Sequence, residues 1–368
     1  MRPLDGVRVV ELARILAGPW SGQVLADLGA EVTKVESPDG DDTRRWGPPF
    51  VDRDGDRSAA YFHGTNRGKV SVLADFRDAD DLARVRALIA DADVVIENFK
   101  VGGLAKFGLD YASLKADHPA LIYCSVTGFG QDGPYAHRAG YDYMIQAMCG
   151  LMSITGAPDA EPQRTGVAVA DLFSGMYAAT SILAALHQRH RTGRGQHLDV
   201  SLLDVGVSVM ANQAMNYLVT GTPPARTGNL HPNLAPYQVY PCADGHVVIA
   251  TGNDGQFTRL CSLLGLDALA TDPDFANNEG RVTHIARLNA QLEPALAARP
   301  RADVLDACEA QGIPAGPIND MADVFADPQV IARGLRIDRD GVPGVRYPVR
   351  FSDAETVSDT GAPALPRR

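Results

Sequence analysis

The chain has 368 residues, 45% hydrophobic and 21% charged, with a net charge of −11. At about 150 residues per domain that length gives two or three domains and ample core. The acidic balance excludes a general nucleic-acid or membrane binder, which needs a basic excess, so an anionic ligand requires a local basic pocket. Five cysteines, Cys124, Cys149, Cys242, Cys261 and Cys308, are widely spaced and form no CxxC pair. Neither a disulfide framework nor a metal site is expected from them, and the thiols read as free. The start, "RPLDGVRVVEL", has no charged leader with an apolar run, and no uninterrupted apolar run of about 18 residues occurs. A cytoplasmic protein is expected.

In chain order, Gly6 to Ala13 reads as a buried strand, followed by the loop Arg14 to Gly18. Pro19 opens a helix that stops near Gly29. Glu31 to Glu36 is a second strand, completing a βαβ unit of nucleotide-binding type. The first loop has a single glycine, Gly18, so the GxGxxG dinucleotide fingerprint is missing and NAD or FAD is not inferred. Asp39 to Pro49 reads as a solvated polar loop. Gly68 to Phe76 is a strand, Asp78 to Ala92 an amphipathic helix, and Asp93 to Phe99 a further parallel strand. Ligands of such sheets gather at the carboxyl ends of the strands, which places Asn98 and Phe99 well. Leu121 to Gly130 is the next strand, and Met144 to Thr155 reads as core.

Arg164 to Gln196 organises the whole. A short apolar run stops at Asp171, and then Leu172, Met176, Ala179, Leu183 and Leu186 recur at helical steps. Gly193, after Arg189, His190 and Arg191, should end that helix. Asp171 thus stands at a helix start. It reads either as an N-cap, accepting backbone N–H bonds, or as a carboxylate nucleophile beside charge-stabilising N–H groups. After Gln196 come a strand and one helix, Leu203 to Val219. Gly221 to Asn233 is the clearest linker. A hairpin turning at Asp244 and Gly245 and helices near Asp254 to Leu264 and Ile285 to Ala298 make a smaller α+β domain. Expected bounds are a large domain over 1–200, helix and linker over 201–235, the small domain over 236–318, and a return segment over 319–368.

The segments "VRVVELARILAGPWSGQVLADLGAEVTKVESP", "GDDTRRWGPPF", "NRGKVSV", "VVIENFKVGGLAKFGLDY", "GFGQDGPYAHRAGYDYM" and "VAVADLFSGMYAATSILAALHQRHRTGRGQHLDVSLLD" together resemble the class III coenzyme A transferases (the CaiB/BaiF family). The match includes "GIPAGPINDMADVFADPQV" and runs over nearly the whole chain. Within the family the look is that of succinyl-CoA:dicarboxylate, glutarate-type, transferases. The resemblance implies a Rossmann-like parallel-sheet large domain and a smaller α+β domain, with two chains threaded into an interlocked homodimer. It implies no permanently bound cofactor and no metal, with coenzyme A arriving as part of the substrate.

The family's catalytic aspartate falls on Asp171. It attacks an acyl-CoA thioester and carries first the acyl group, as a mixed anhydride, and then CoA. The family's CoA contacts fall on Asn98, Phe99, Lys106, Phe107 and Arg77, with Ala74 and Leu16 beside them. Leu16 and Ala139 stand where formyl-CoA transferases have glutamine and lysine, and Ser37 stands where they have arginine. Those departures suit a larger acyl group. Tyr141 stands near the position of the racemases' histidine. A neutral phenol, with an ordinary pKa of about 10, is a poor base near pH 7, so the 2-methylacyl-CoA racemase reading is the alternative. Tyr141, Arg44 and His231 are candidate substrate contacts, the two arginines at 44 and 45 for a distal carboxylate. Family members continue past "APALP" with a "GxHT"-like segment and a final helix.

Overall fold

The computed structural model describes residues 1–53 and 55–367. The chain forms two compact units. The first takes in Met1–Leu151, Arg164–Ala211 and Pro328–Arg368, and the second Met152–Gln163 and Asn212–Asp327.

The first unit is built on six parallel strands: β1 (Arg8–Glu11), β2 (Glu31–Glu36), β3 (Lys69–Leu73), β4 (Val94–Glu97), β5 (Ile122–Thr127) and β6 (His197–Ser201). Their order is β3-β2-β1-β4-β5-β6, with Val10 facing Thr33 on one side and Val95 on the other. This is the doubly wound arrangement, and the order in which successive strands are added reverses between β1 and β4. Strands covered on both faces carry continuous apolar runs, as "VVIE" does in β4. The covering helices are α1 (Ala17–Asp27), α2 (Ala79–Ala90), α3 (Asp142–Met148), α4 (Val169–Thr192) and α5 (Leu202–Ser208). One core layer joins Leu25 of α1 and Ala178 and Ile182 of α4 to Ile96 and Ile122. The other joins Val85 and Ile89 of α2 to Val10 and Val95.

The face of α4 turned inward is mostly small, Ala170, Ser174, Gly175, Ala178, Ala179 and Ala185, with Ile182 and Leu186 the larger members. It lets α4 lie close on α1, because a Cβ at Gly175 would stand 2.6 Å from the Ala17 carbonyl oxygen. By length and composition α4 would also span a bilayer, but here it is the core helix of this unit. It stops at Gly193, whose φ of 70° is the left-handed value the sequence signalled.

In the second unit, β7 (Tyr237–Cys242) and β8 (Gly245–Ala250) form the hairpin, and β9 (Ala315–Pro317) pairs on β8. Helices α7 (Asp254–Leu264), α8 (Ile285–Ala297) and α9 (Arg301–Ala310) cover them over a core of Tyr240, Val247, Phe257, Leu260, Leu288 and Val304. The helix expected over 203–219 is two helices, α5 and α6 (Ala211–Thr220), because the chain turns at Ala211, where φ is 42°. The second unit reaches beyond 236–318 because the linker is tied to the 152–163 segment. The Arg226 guanidinium donates to Ala157 and Ala160 carbonyls at 3.3 and 2.8 Å, and Gly228 N donates to Gly156 O.

Two other expectations are corrected. The 39–49 loop is not a solvated connection, since Asp41, Thr43 and Arg44 are buried in it. The methionine-containing stretch after Tyr143 is not core, since Met144 and Met148 are exposed and Ile145 alone among its large apolar residues is fully buried.

Candidate active site

Asp171 is the third residue of α4. The capping role weighed for it belongs to another residue. Asp142, first residue of α3, reaches across with Oδ1 to accept the Ala170 N–H at 2.8 Å and the Asp171 N–H at 3.3 Å. Its Oδ2 accepts from the Gln146 carboxamide at 2.7 Å, and Gln146 Oε1 in turn accepts from Thr165 N at 3.0 Å. Asp142 is itself seated by a backbone crossing. Gly128 and Gly140 lie so close that a Cβ on either would stand 2.4 Å or less from the other's Cα. With the helix start satisfied from outside, the Asp171 carboxylate accepts no hydrogen bond from any described side chain.

That carboxylate faces a cavity of about 420 Å³ lined also by Leu16, Asn98, Phe99, Lys106, Phe107 and Tyr141. A second cavity, about 730 Å³, shares Arg14, Phe99 and Phe107 with it and runs over the carboxyl ends of β2 and β3, past Ala74, Arg77 and Arg45. The two are neighbours through those shared residues and lie at the carboxyl ends of the strands, where the strand order switches between β1 and β4. Phe76 forms an aromatic wall with Phe99 and Phe107, at centroid distances of 6.0 and 5.5 Å. Lys106 holds its ammonium 4.8 Å over the Phe107 ring.

A family model described as CoA-transferase family III matches residues 4–367. The chain belongs to this family. The transferase is 56% identical to a succinate–glutarate CoA-transferase of Agrobacterium fabrum, over 99% of this chain and 93% of that one. It is 40% identical to the human succinyl-CoA:glutarate CoA-transferase, over 94% of this chain and 81% of that one. A crystal structure of a CaiB/BaiF family protein from Brucella suis, 60% identical, superposes with a TM-score of 0.89 over 99% of this chain and 96% of that one.

Seen in the transferase, the sequence candidates divide. Asp171, Leu16, Asn98, Phe99, Lys106, Phe107 and Tyr141 meet in one cavity, and Ala74 and Arg77 line the other. Asn98 has a duty the sequence did not signal. Its carboxamide accepts Arg14 N at 3.0 Å and donates to Arg14 O at 2.7 Å, stitching the loop after β1 to the end of β4. Asn98→Asp turns that donor into a second acceptor facing a carbonyl, so it should raise the KM for acyl-CoA about tenfold, more than Asn98→Ala does. Steady-state kinetics on the two variants check the order.

Arg77 is fully exposed and chelated by Asp75 at 2.8 and 2.9 Å. Arg44 is a correction. It is buried, bonded to both Glu36 oxygens at 2.7 and 2.8 Å and set over the Phe62 ring at 3.7 Å, with no face left for a substrate carboxylate. Arg45, more exposed, is the member of that pair on the cleft. His231 belongs to the second unit. There its ring lies 4.9 Å from that of Tyr237, and its Nδ1 accepts from Asn233 N.

The sequence missed Tyr61, Arg14, Ile15 and Asp142. Burial, then the charges of Asp171, Asp142 and Asp41, push the Tyr61 phenol up to about 12, so it stays a donor close to the carboxylate pair. No local pattern signals it. Asp142 had a visible sign, an acid four residues before Gln146 in a helix start. Ile15 has a φ of 73°. For a β-branched residue that is a true outlier costing on the order of 1–3 kcal/mol. Burial first, and the Asp142 charge second, push the Asp171 carboxyl up to about 7.

Proposed function

We propose that the transferase moves coenzyme A reversibly from succinyl-CoA to a small dicarboxylic acid of the glutarate type, with Asp171 as the covalent carrier. The observation that carries this is the free Asp171 carboxylate in the cleft, its helix start capped by Asp142 instead. An Asp171 oxygen attacks the thioester carbonyl, the C–S bond breaks, and CoA leaves as thiolate from an aspartyl–acyl anhydride. The thiolate attacks the aspartyl carbonyl, and the first acid leaves as carboxylate from an aspartyl–CoA thioester. The acceptor carboxylate attacks that thioester, expelling thiolate again. The thiolate then attacks the new acyl carbonyl, yielding the new acyl-CoA and free Asp171. No proton need be removed from carbon. Holding the thiolate in the cleft makes each return step effectively unimolecular.

Phe99, Phe107 and Lys106 suit the apolar and phosphate parts of CoA, and Ala74, Arg77 and Arg45 the nucleotide end. Tyr141, exposed on the cleft, suits the acyl chain. No other cofactor is part of this reading. The working form is an interlocked homodimer. Tyr143, Met144 and Met148 of α3 and Phe173, Met176 and Tyr177 of α4 are all exposed, and a second copy would cover them. Five free thiols and the acidic balance support a cytoplasmic setting without nucleic-acid or membrane partners.

A panel of carboxylic acids with succinyl-CoA, scored by the new thioester in D₂O, tests the reading. Glutarate or a close dicarboxylate should give a new thioester with no deuterium at its α-carbon. Deuterium incorporation without any acceptor acid would replace this reading by the racemase one.

A further inference from the structure

Beneath the cleft lies a buried set of charges that neither the capping of α4 nor the CoA contacts use. Glu11 pairs with Lys69 at 2.8 Å and with Lys34 at 3.0 Å, and Lys34 pairs with Asp41 at 2.9 Å. All four side chains are almost wholly buried. Burial pulls Lys34 down, but Glu11, Asp41 and Glu36 outweigh it and hold the ammonium above its ordinary value. Burial pushes Asp41 up, and Lys34 and Thr43 outweigh that, so the pair is ionised. Gly22 makes room for the set, since a Cβ there would stand 1.9 Å from Glu11 Oε2.

Buried ion pairs of this kind add little stability over well-packed apolar residues. What this set touches suggests another purpose. Lys34 donates to Ala13 O at 2.8 Å, where the loop after β1 begins. Lys69 donates to Pro19 O at 2.8 Å, just after the loop has entered α1. Asp41 accepts the Ile15 N–H in between, at 3.2 Å to the nearer oxygen. The loop is therefore held at its beginning, middle and end, and the middle is the left-handed Ile15. Arg14, Ile15, Leu16 and Ala17 all line the cavity of Asp171, and α4 rests on the Ala17 carbonyl through Gly175.

We propose that Glu11, Lys69, Lys34 and Asp41 form a positioning device that clamps the Arg14–Ala17 loop, with Ile15 in its left-handed turn, against the Asp171 helix for the transfer reaction. The proposal rests on Asp171 being the carrier. A loop that relaxes by about 1 Å misplaces the thioester carbonyl, and displacements of that size lower rates up to about 100-fold.

The charge-balanced double variant Lys34→Met/Asp41→Leu removes the tie to Ala13 O and the acceptor of the Ile15 N–H, and leaves Glu11 paired with Lys69. It should fold with a near wild-type melting temperature, lose about ten- to a hundredfold in kcat, and change the KM for acyl-CoA by less. Adding Ile15→Gly, which adopts the turn without strain, should recover at least about threefold of the lost kcat. A double variant within about twofold of wild type, or a triple variant no better than the double, overturns the proposal. If the double variant fails to fold, Thr43→Val decides. It removes the 2.7 Å bond from Thr43 Oγ1 to Asp41 without changing charge. It should lower kcat about three- to tenfold, and an unchanged kcat overturns the clamp. Wild-type turnover and the Asp171 adduct are read in the same assay, so failure of the carrier reading shows there and not in the variants.

Discussion

Asp171→Asn abolishes CoA transfer: kcat should fall by at least about 10⁴-fold, the scale seen when a covalent nucleophile is lost. Wild-type enzyme given succinyl-CoA and then hydroxylamine should carry a hydroxamate at position 171, visible by peptide mass, and the variant none. A wild-type protein unmodified at 171 while turning over would end the carrier reading. The same residue sets a stability prediction. The Asp171 carboxyl is pushed up to about 7 by burial first and by Asp142 second, so the folded state holds its proton more tightly than the unfolded chain does. The stability this contributes is complete below the unfolded value near 4 and is lost as pH rises through 7. Asp171→Asn has no such loss. Its melting temperature should exceed wild type by several degrees at pH 8.5, and the gap should close progressively as pH falls from 7 toward 4. A gap that is flat across that range would mean Asp171 sits in an ordinary solvated setting.

Much of this arrangement is legible in the sequence. The alternation of β1, α1 and β2, the apolar β4 ending in Asn98, and the helical steps from Leu172 to Leu186 are local signals, and local signals decide doubly wound sheets. What the sequence hid depends on distant partners. Arg44 looks like a free cation until Glu36, eight residues earlier, accepts from two of its three nitrogens and Asp56 from the third. Asn98 looks like a ligand contact until the Arg14 backbone, 84 residues earlier, occupies it. Asp171 looks like a cap until Asp142 arrives from another helix to do that work. Polar residues at strand ends serve either a substrate or the backbone, and only the fold says which. The 39–49 loop misleads for the same reason, since Asp41 and Arg44 read as solvated and are instead buried against Lys34 and Glu36 of β2.

Asp142 carries the second large effect, because it acts on Asp171 in two ways that different variants separate. As a neighbouring negative charge it raises the Asp171 pKa, an effect second to burial. As an acceptor it fixes the first N–H groups of α4. Acceptor carboxylic acids ionise near pH 4–5, so an acid limb near 7 in kcat/KM belongs to the enzyme, and kcat/KM should rise with pH through that value. In Asp142→Asn the like charge is gone and the carboxylate is favoured, so the limb should move down by roughly one unit. The rate above pH 8 should still fall about ten- to a hundredfold. One carboxamide cannot accept from Ala170 N while also accepting from Gln146, and the Asp171 helix start loosens. Gln146→Leu leaves the Asp142 charge but removes its 2.7 Å tether. It should lower the rate by a smaller factor and leave the limb near 7. If Asp142→Asn lowers the rate with the limb unmoved, the charge plays no part and only the helix geometry matters. If the limb moves with the rate intact, the geometry is held by Thr165 and Gln146 alone.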